Sequence, residues 1–481
     1  VLRGPQGTLF GKNTSAGVLN VITKGPEFEG GGSFEYQRGD YGWERFSGHV
    51  TGPIIPDVLA FRVFAADASR DGYTNLVLED NGNTRVVESE TENYETYRGQ
   101  LLFTPSATVE ARIIADYSQR DEFCCSAVSY DYTGTAAALV GAVTPPSAGG
   151  GVAFPADPEA RVAYANEQYD QNVVDWGVSG EVDIELPVGT LTSVTAFRNW
   201  TNSRGQDIDY SAADLAYRDP DNNFTDLTRF SQELRLSGAT ENLDWLVGAF
   251  FSHEELRLGD AIRYGEDWET YLGNIASGLT DPNFISTNLN GLALGLLPGV
   301  PGLPGFTPIA PGGFFPDGSG VNQDVYDQTA TSWALFTHNT YQLTDALSVT
   351  AGLRYTNETK DVFATFDTSP TPGCSILEAY ANANPATQWD PAAAFAGTPL
   401  GPLAPTLCLP YARSGLDANG YDRERSDEEL SGTLRLTYDL NDDVMLYTGY
   451  SRGFKAGGFN LDRQLNGPTD ASGYVNSDSS F

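Results

Sequence analysis

The 481-residue chain has no run of 18 or more apolar residues, which excludes a membrane-spanning helix. Its nearest approach, Gly291 to Gly305, is broken by prolines and glycines and reads as a loop. Positive charge is scarce: 28 Lys and Arg against 64 Asp and Glu leave a net charge of −36. That balance argues against a nucleic-acid partner, because a phosphate backbone requires a positive footprint. Only four of the cations are lysines (Lys12, Lys24, Lys360, Lys455). The arginines that dominate suit fixed, bidentate recognition of carboxylates and similar anions. Histidine is also rare, and His49, His253 and His338 are scattered with no metal-ligand spacing. There is one methionine, Met445, and the chain begins at Val1, so it is expected to be an internal fragment.

What the chain does have is aromatic residues (12%), 52 glycines and a modest 19% of charged residues. Transmembrane β-barrels share this profile, with aromatic girdles and no long hydrophobic segments. From Gly30 onward, polarity alternates with period two. In Asp175 to Leu186, Trp176, Val178, Val182, Ile184 and Leu186 share one face, and Asp175, Ser179, Glu181, Asp183 and Glu185 take the other. Ala346 to Thr356 and Leu430 to Asp439 repeat the pattern. Alternation alone also fits a soluble sandwich.

The connections discriminate further. Tight turns are expected near 53–57, 104–106, 186–189, 238–242, 343–345 and 440–442. Between them fall long loops, at about 71–92, 121–169, 206–222, 259–327 and 365–423. Regular alternation of tight turns with long loops puts every long loop at one end, the asymmetry of an outer-membrane barrel. About thirteen strands are expected, near 30–38, 42–52, 58–70, 93–104, 107–120, 170–186, 190–205, 224–237, 243–258, 329–343, 346–364, 424–440 and 443–457. Bacterial barrels close with even strand numbers, and an open edge cannot sit in lipid. The sequence is therefore expected to hold part of a transmembrane antiparallel β-barrel, an all-β fold.

The first twenty-six residues, VLRGPQGTLFGKNTSAGVLNVITKGP, carry the most specific pattern: Arg3-Gly4-Pro5, Gly7, Gly11, Gly17 and Asn20. Glycines at this density let the chain turn where a side chain would clash. VLNVIT reads as a buried strand. The block resembles the end of the plug domain of TonB-dependent outer-membrane receptors. Phe230 to Leu236 (FSQELRL) and Tyr450 to Asn460 (YSRGFKAGGFN) resemble later barrel strands of the same receptors. Ala16 departs from the family's common second glycine.

The resemblance implies residues 1–26 as the end of a plug and residues 27–481 as the first part of a barrel of about 22 strands. It implies the outer membrane of a Gram-negative bacterium, contact with outer-membrane lipid, and TonB as partner through an upstream segment. It also implies active uptake of a bulky nutrient, by default a ferric siderophore, with glycans, haem or cobalamin as alternatives. An Arg3–Glu233 ion pair between plug and barrel is expected on the same ground. Neither a cofactor nor enzymatic activity is expected, and a passive porin is the alternative from another class.

Four cysteines permit three pairings. Cys374 and Cys408 fall in one loop, and a disulfide between them is expected. For Cys124-Cys125, a vicinal bond, cross-loop pairing or two free thiols all stay open. Asp219, Asp221 and Asn223 have calcium-loop spacing, but Phe224 stands where the turn glycine belongs, so a plain acidic loop is expected. Gly7 to Asn13 is one residue short of a phosphate loop, and Asn13 replaces its hydroxyl residue. Tyr130, Tyr132, Trp268, Tyr271, Phe314 and Phe315 are candidate aromatic contacts for substrate, with loop packing the favoured alternative.

Overall fold

A computed structural model of the chain describes residues 1–80, 83–130, 134–143, 159–296, 301–320, 322–368, 371–383, 400 and 421–461. It opens with β1 (Leu2–Arg3), the single turn α1 (Gly7–Phe10) and β2 (Gly17–Val18), which pairs back on β1. Long strands follow: β3 (Gly31–Arg38), β4 (Glu44–Ile55) and β5 (Leu59–Arg70). After the short β6 (Thr74–Asp80) and β7 (Asn83–Ser89) come β8 (Glu92–Ser106) and β9 (Val109–Phe123). Next are α2 (Gly134–Val143), β10 (Val162–Ala165), β11 (Asp170–Leu186) and β12 (Gly189–Arg204). The short β13 (Gln206–Asp207) and β14 (Ala216–Arg218) precede β15 (Phe224–Ala239) and β16 (Leu243–Tyr264). Helices α3 (Trp268–Ser277) and α4 (Phe284–Ala293) lead to β17 (Asn322–Thr344) and β18 (Leu347–Thr368). The described order ends with α5 (Pro372–Ala383), β19 (Tyr421–Asn441) and β20 (Val444–Arg452).

One continuous meander runs β3-β4-β5-β8-β9-β11-β12-β15-β16-β17-β18-β19-β20. Every one of the thirteen segments expected from alternation is a strand of this wall, and each neighbouring pair is antiparallel. The connections at 56–58, 107–108, 187–188, 240–242, 345–346 and 442–443 are tight, and those between them are mostly long.

Side-chain parity follows from what touches the N-terminal segment. Gly352, Arg354 and Glu358 of β18 meet it, so even positions of β18 face inward. Through the register, Phe336, Gly248, Arg235, Thr192 and Asp183 are inward on successive strands. The opposite face exposes Trp176, Val178, Phe197, Leu234, Val247, Phe251, Leu335, Leu353 and Leu434. Apolar side chains left exposed in one continuous band are what a lipid-facing wall requires.

Strands β16 to β19 are longer than expected, at 22, 23, 22 and 21 residues. A tilted strand needs only about 9–11 residues to cross hydrocarbon. On the outward face of β16, Leu243, Trp245, Val247, Ala249 and Phe251 give way to His253, Glu255 and Arg257. The ladder therefore continues beyond the apolar band, where cross-strand charges such as Arg257–Asp327 (3.5 Å) accompany it.

The largest apolar core lies at the loop end rather than in the barrel wall. Tyr264, Leu272, Ile285, Leu289, Leu292, Phe314, Phe315 and Cys374 are buried together, from the end of β16, α3, α4, α5 and the adjoining loops. A second sheet, β10-β6-β7, contains the parallel pair β6–β10 and buries Leu76, Leu78, Ala163 and Ala165. α4 reaches Ala293, so the expected loop from Gly291 begins as helix.

Candidate functional site: the seat of the N-terminal segment

The N-terminal segment docks on the inner faces of β17, β18 and β19 through α1. Backbone shape comes first. Gly4 and Gly11 both have φ +77, and Gly17 has φ +152, with a Cβ there standing 2.6 Å from the Leu2 carbonyl oxygen. Only glycine takes these positions without strain. At Gly7 the reason is packing: a Cβ would stand 3.1 Å from Ser431 Oγ. Gly352 opposite is more tightly confined, a Cβ there standing 2.7 Å from His338 Nδ1 and 3.1 Å from Thr8 Cγ2.

Charge completes the seat. Lys12 Nζ lies 2.7 Å from a carboxylate oxygen of Glu358, whose side chain is only 1% exposed. Lys360 holds the other Glu358 oxygen at 3.1 Å and donates to the Gly457 carbonyl at 2.6 Å. The Gly457 amide in turn donates to Asp427 (3.2 Å), which Arg425 pairs at 2.9 Å. The Asn13 amide donates to the Phe454 carbonyl (3.2 Å). A buried carboxylate without partners is costly, so two lysines on Glu358 are what makes its burial tenable. Next to them Arg354 is buried between Phe250 and Phe336, 5.4 and 5.0 Å from the ring centroids, and its Nη2 would lie 3.2 Å from a Cβ at Gly11.

Two of the three sequence blocks singled out above therefore meet in space: Val1 to Pro26 and Tyr450 to Asn460. Glu358, Lys360 and Arg354 were not anticipated. Their signal was the period-two alternation of β18, which puts Arg354, Glu358 and Lys360 on one face.

The segment leaves its seat along the lumen. Gln100 donates to the Lys24 carbonyl (3.1 Å), Arg112 pairs with Gln100 Oε1, and the Glu27 amide donates to Thr51 Oγ1 (2.9 Å). Further inward rungs are arginine–carboxylate contacts: Arg198–Asp116 at 2.6 Å, Arg198–Asp175 at 3.2 Å and Arg98–Asp116 at 3.7 Å.

Several expectations need correction. Arg3 and Glu233 form no ion pair. Glu233 is inward as expected but pairs with Arg235 (3.2 Å), two residues along on the same face, and Arg3 is exposed. A local cation on the same strand face meets the carboxylate without reaching across the lumen. VLNVIT is not a buried strand: only Gly17–Val18 pairs, and Leu19, Val21 and Ile22 are 74, 77 and 81% exposed. No strand pairs with residues 19–23 among the described residues; Arg112 of β9 reaches the Thr23 carbonyl with its side chain (3.5 Å). Asn20 is exposed there too, and Pro5 approaches Gly453.

Cys124 and Cys125 are bonded to each other. Cys374 is disulfide-bonded, and Cys408 lies outside the described residues, as does Tyr132. Phe314 and Phe315 are 0 and 1% exposed, and Trp268 and Tyr271 pack on their cluster, so these aromatics serve loop packing. Tyr130 is 83% exposed. Asp219 pairs with Arg263 and caps Asn222, and Asn223 bonds Ala261, which makes a plain structural loop.

Loop 205–218 is held by carboxylates. Asp207 accepts the Asp209 and Tyr210 amides, Asp209 accepts those of Ser211, Leu215 and Ala216, and Asp267 accepts that of Asp214. Burial, then the neighbouring Asp209 charge, push Asp207 up to about 9, and burial pushes Asp267 up to about 6.

An antiparallel wall with an apolar outer band, long loops at one end and a segment seated on its inner face has the architecture of an outer-membrane barrel wall. A family model described as TonB dependent receptor-like, beta-barrel, matches residues 127–478. The chain belongs to this family, whose members are outer-membrane proteins of Gram-negative bacteria. Solved structures of similar fold include the ferric yersiniabactin uptake receptor FyuA from Yersinia pestis, at 14% identity and TM-score 0.61, covering 96% of this chain and 52% of that one. The siderophore receptor PiuA from Acinetobacter baumannii matches at 13% identity and TM-score 0.56 over 93% of this chain and 53% of its own. The closed form of the ferric-catecholate import receptor Fiu from E. coli K12 matches at 12% and 0.55 over 98% and 57%. The chain thus spans about half the length of these structures, and at such identities the likeness shows the fold.

Proposed function

We propose that the full-length protein imports a ferric siderophore actively across the outer membrane. The observation that carries this reading is the seated N-terminal segment, because a barrel whose inner wall holds a segment through a buried ion pair is built to be blocked and then released. Coupling to TonB by strand addition is part of the same proposal, since release needs an energy source that the outer membrane lacks. The names of the similar structures point the same way. The test is radio-iron uptake by cells carrying the full-length protein, with and without TonB, for a panel of ferric chelates. Uptake that requires TonB and saturates for one chelate supports the reading. Free passage of small sugars through the purified protein in liposomes would overturn it in favour of a porin.

A further inference from the structure

The outer face of the wall is not uniformly bulky. Across four neighbouring strands the register aligns Phe34 (β3), Gly48 (β4), Ala65 (β5) and Tyr97 (β8) in one row. Two minimal residues thus lie between two rings, whose strands are three spacings apart, about 14 Å at about 4.8 Å each. In the row towards the loops stand Phe46, Asp67 and Glu95, and in the row towards the turns stand Val50, Val63 and Gly99. The result is a trough of about 560 Å³, lined by Phe34, Phe46, Gly48, Val50, Val63, Ala65 and Tyr97 among others. Its walls are well exposed: Phe34 73%, Val50 57% and Val63 52%. That volume lies within the range of about 300–1,000 Å³ typical of small-ligand sites.

We infer that this trough is a binding site for one acyl chain of an outer-leaflet membrane lipid. The occupant follows from continuity: the trough interrupts the same apolar band that faces hydrocarbon, so water does not fill it and an alkyl chain does. Asp67 and Glu95, with the Tyr97 hydroxyl donating to Glu95 (3.1 Å), close its upper rim. They mark the polar boundary of the apolar band, at the loop end. Tyr97 then has the amphipathic placement of an interfacial aromatic, with its ring against the chain and its hydroxyl at the rim.

The site is tested by filling its floor. Gly48 is confined by the Ser33 carbonyl, 3.0 Å from where a Cβ would stand, so the substitution belongs at Ala65. The full-length protein in mild detergent is titrated with a single-chain lysophospholipid and read by native mass spectrometry. Wild type is expected to bind one molecule above the non-specific background. Ala65→Trp is expected to weaken that binding at least about tenfold. Ala249→Trp, on the same lipid-facing band of β16 but outside the trough, is expected to leave it unchanged. Folding of each variant is checked by its mobility difference between heated and unheated gels. Equal binding by all three proteins, or none by the wild type, would overturn the inference in favour of ordinary annular lipid.

Discussion

Replacing Lys12 by methionine keeps the aliphatic stem and removes the charge that reaches Glu358. Lys12 is 24% exposed and Glu358 1%, so solvent screens this pair weakly. Breaking a fully buried pair costs about 3–5 kcal/mol, but Lys360 remains on Glu358 at 3.1 Å and keeps the carboxylate partly neutralised. The expected loss is therefore nearer that of one charge-assisted hydrogen bond, about 2 kcal/mol. At 1.4 kcal/mol per factor of ten, the open population of the seat should rise about thirtyfold. Hydrogen exchange reads this directly at the Asn13 amide, which bonds Phe454 across the seat, and at the amides of α1. Exchange there should accelerate about thirtyfold, while the amides of β17 and β18 keep their wild-type rates. The control is a double-mutant cycle with Glu358→Gln. In that background Lys12→Met should accelerate exchange less than about threefold, because its partner charge is already gone. Equal acceleration in both backgrounds would refute the coupling and reduce Lys12 to a bystander.

Other outcomes follow from the same geometry. Gly11→Ala puts a Cβ at φ +77, 3.2 Å from Arg354, and should destabilise the seated segment by roughly 1–3 kcal/mol, read by the same exchange experiment. Phe314→Ala empties the centre of the loop-end core and should cost that cap about 3–5 kcal/mol, with protease cleavage between β16 and β17 while the barrel strands stay protected. Asp207 takes up a proton on folding, since its folded value of about 9 exceeds its unfolded one near 3.9. Loop 205–218 should therefore lose stability as pH rises from about 4 through about 9, with exchange of its amides accelerating; Asp207→Asn should flatten that profile, and an unchanged profile would remove Asp207 as the cause. Peptide mapping without reductant should recover Cys124 and Cys125 joined within one peptide, and a mixed disulfide to Cys374 would contradict the structure.

Much of the wall was readable from the chain because a strand's side-chain period is two and lipid accepts only one kind of face. Trp176, Val178, Leu234 and Leu353 announced the outer surface, and the thirteen strands fell where their alternation put them. The glycines of the opening segment were likewise legible, since Gly4, Gly11 and Gly17 occupy backbone shapes that few other residues tolerate. Partner choice was not. Glu233 has an inward position on any reading, yet whether it meets Arg3 or Arg235 depends on which guanidinium lies nearer in space, and Arg235 does. Nor does alternation say which aromatics of a long loop face substrate and which, like Phe314 and Phe315, face one another.

The sequence by itself determined the class of wall, its two faces and the end that carries the loops, all consequences of local periodicity and solvent. Tertiary structure alone decided that Lys12 meets Glu358, that the opening segment rests against the block after β20, and that Cys124 closes on Cys125. Such pairings join residues far apart in the chain or select among equivalent partners. They are set by the register of thirteen strands and the curvature that brings inner faces together, which no single segment encodes.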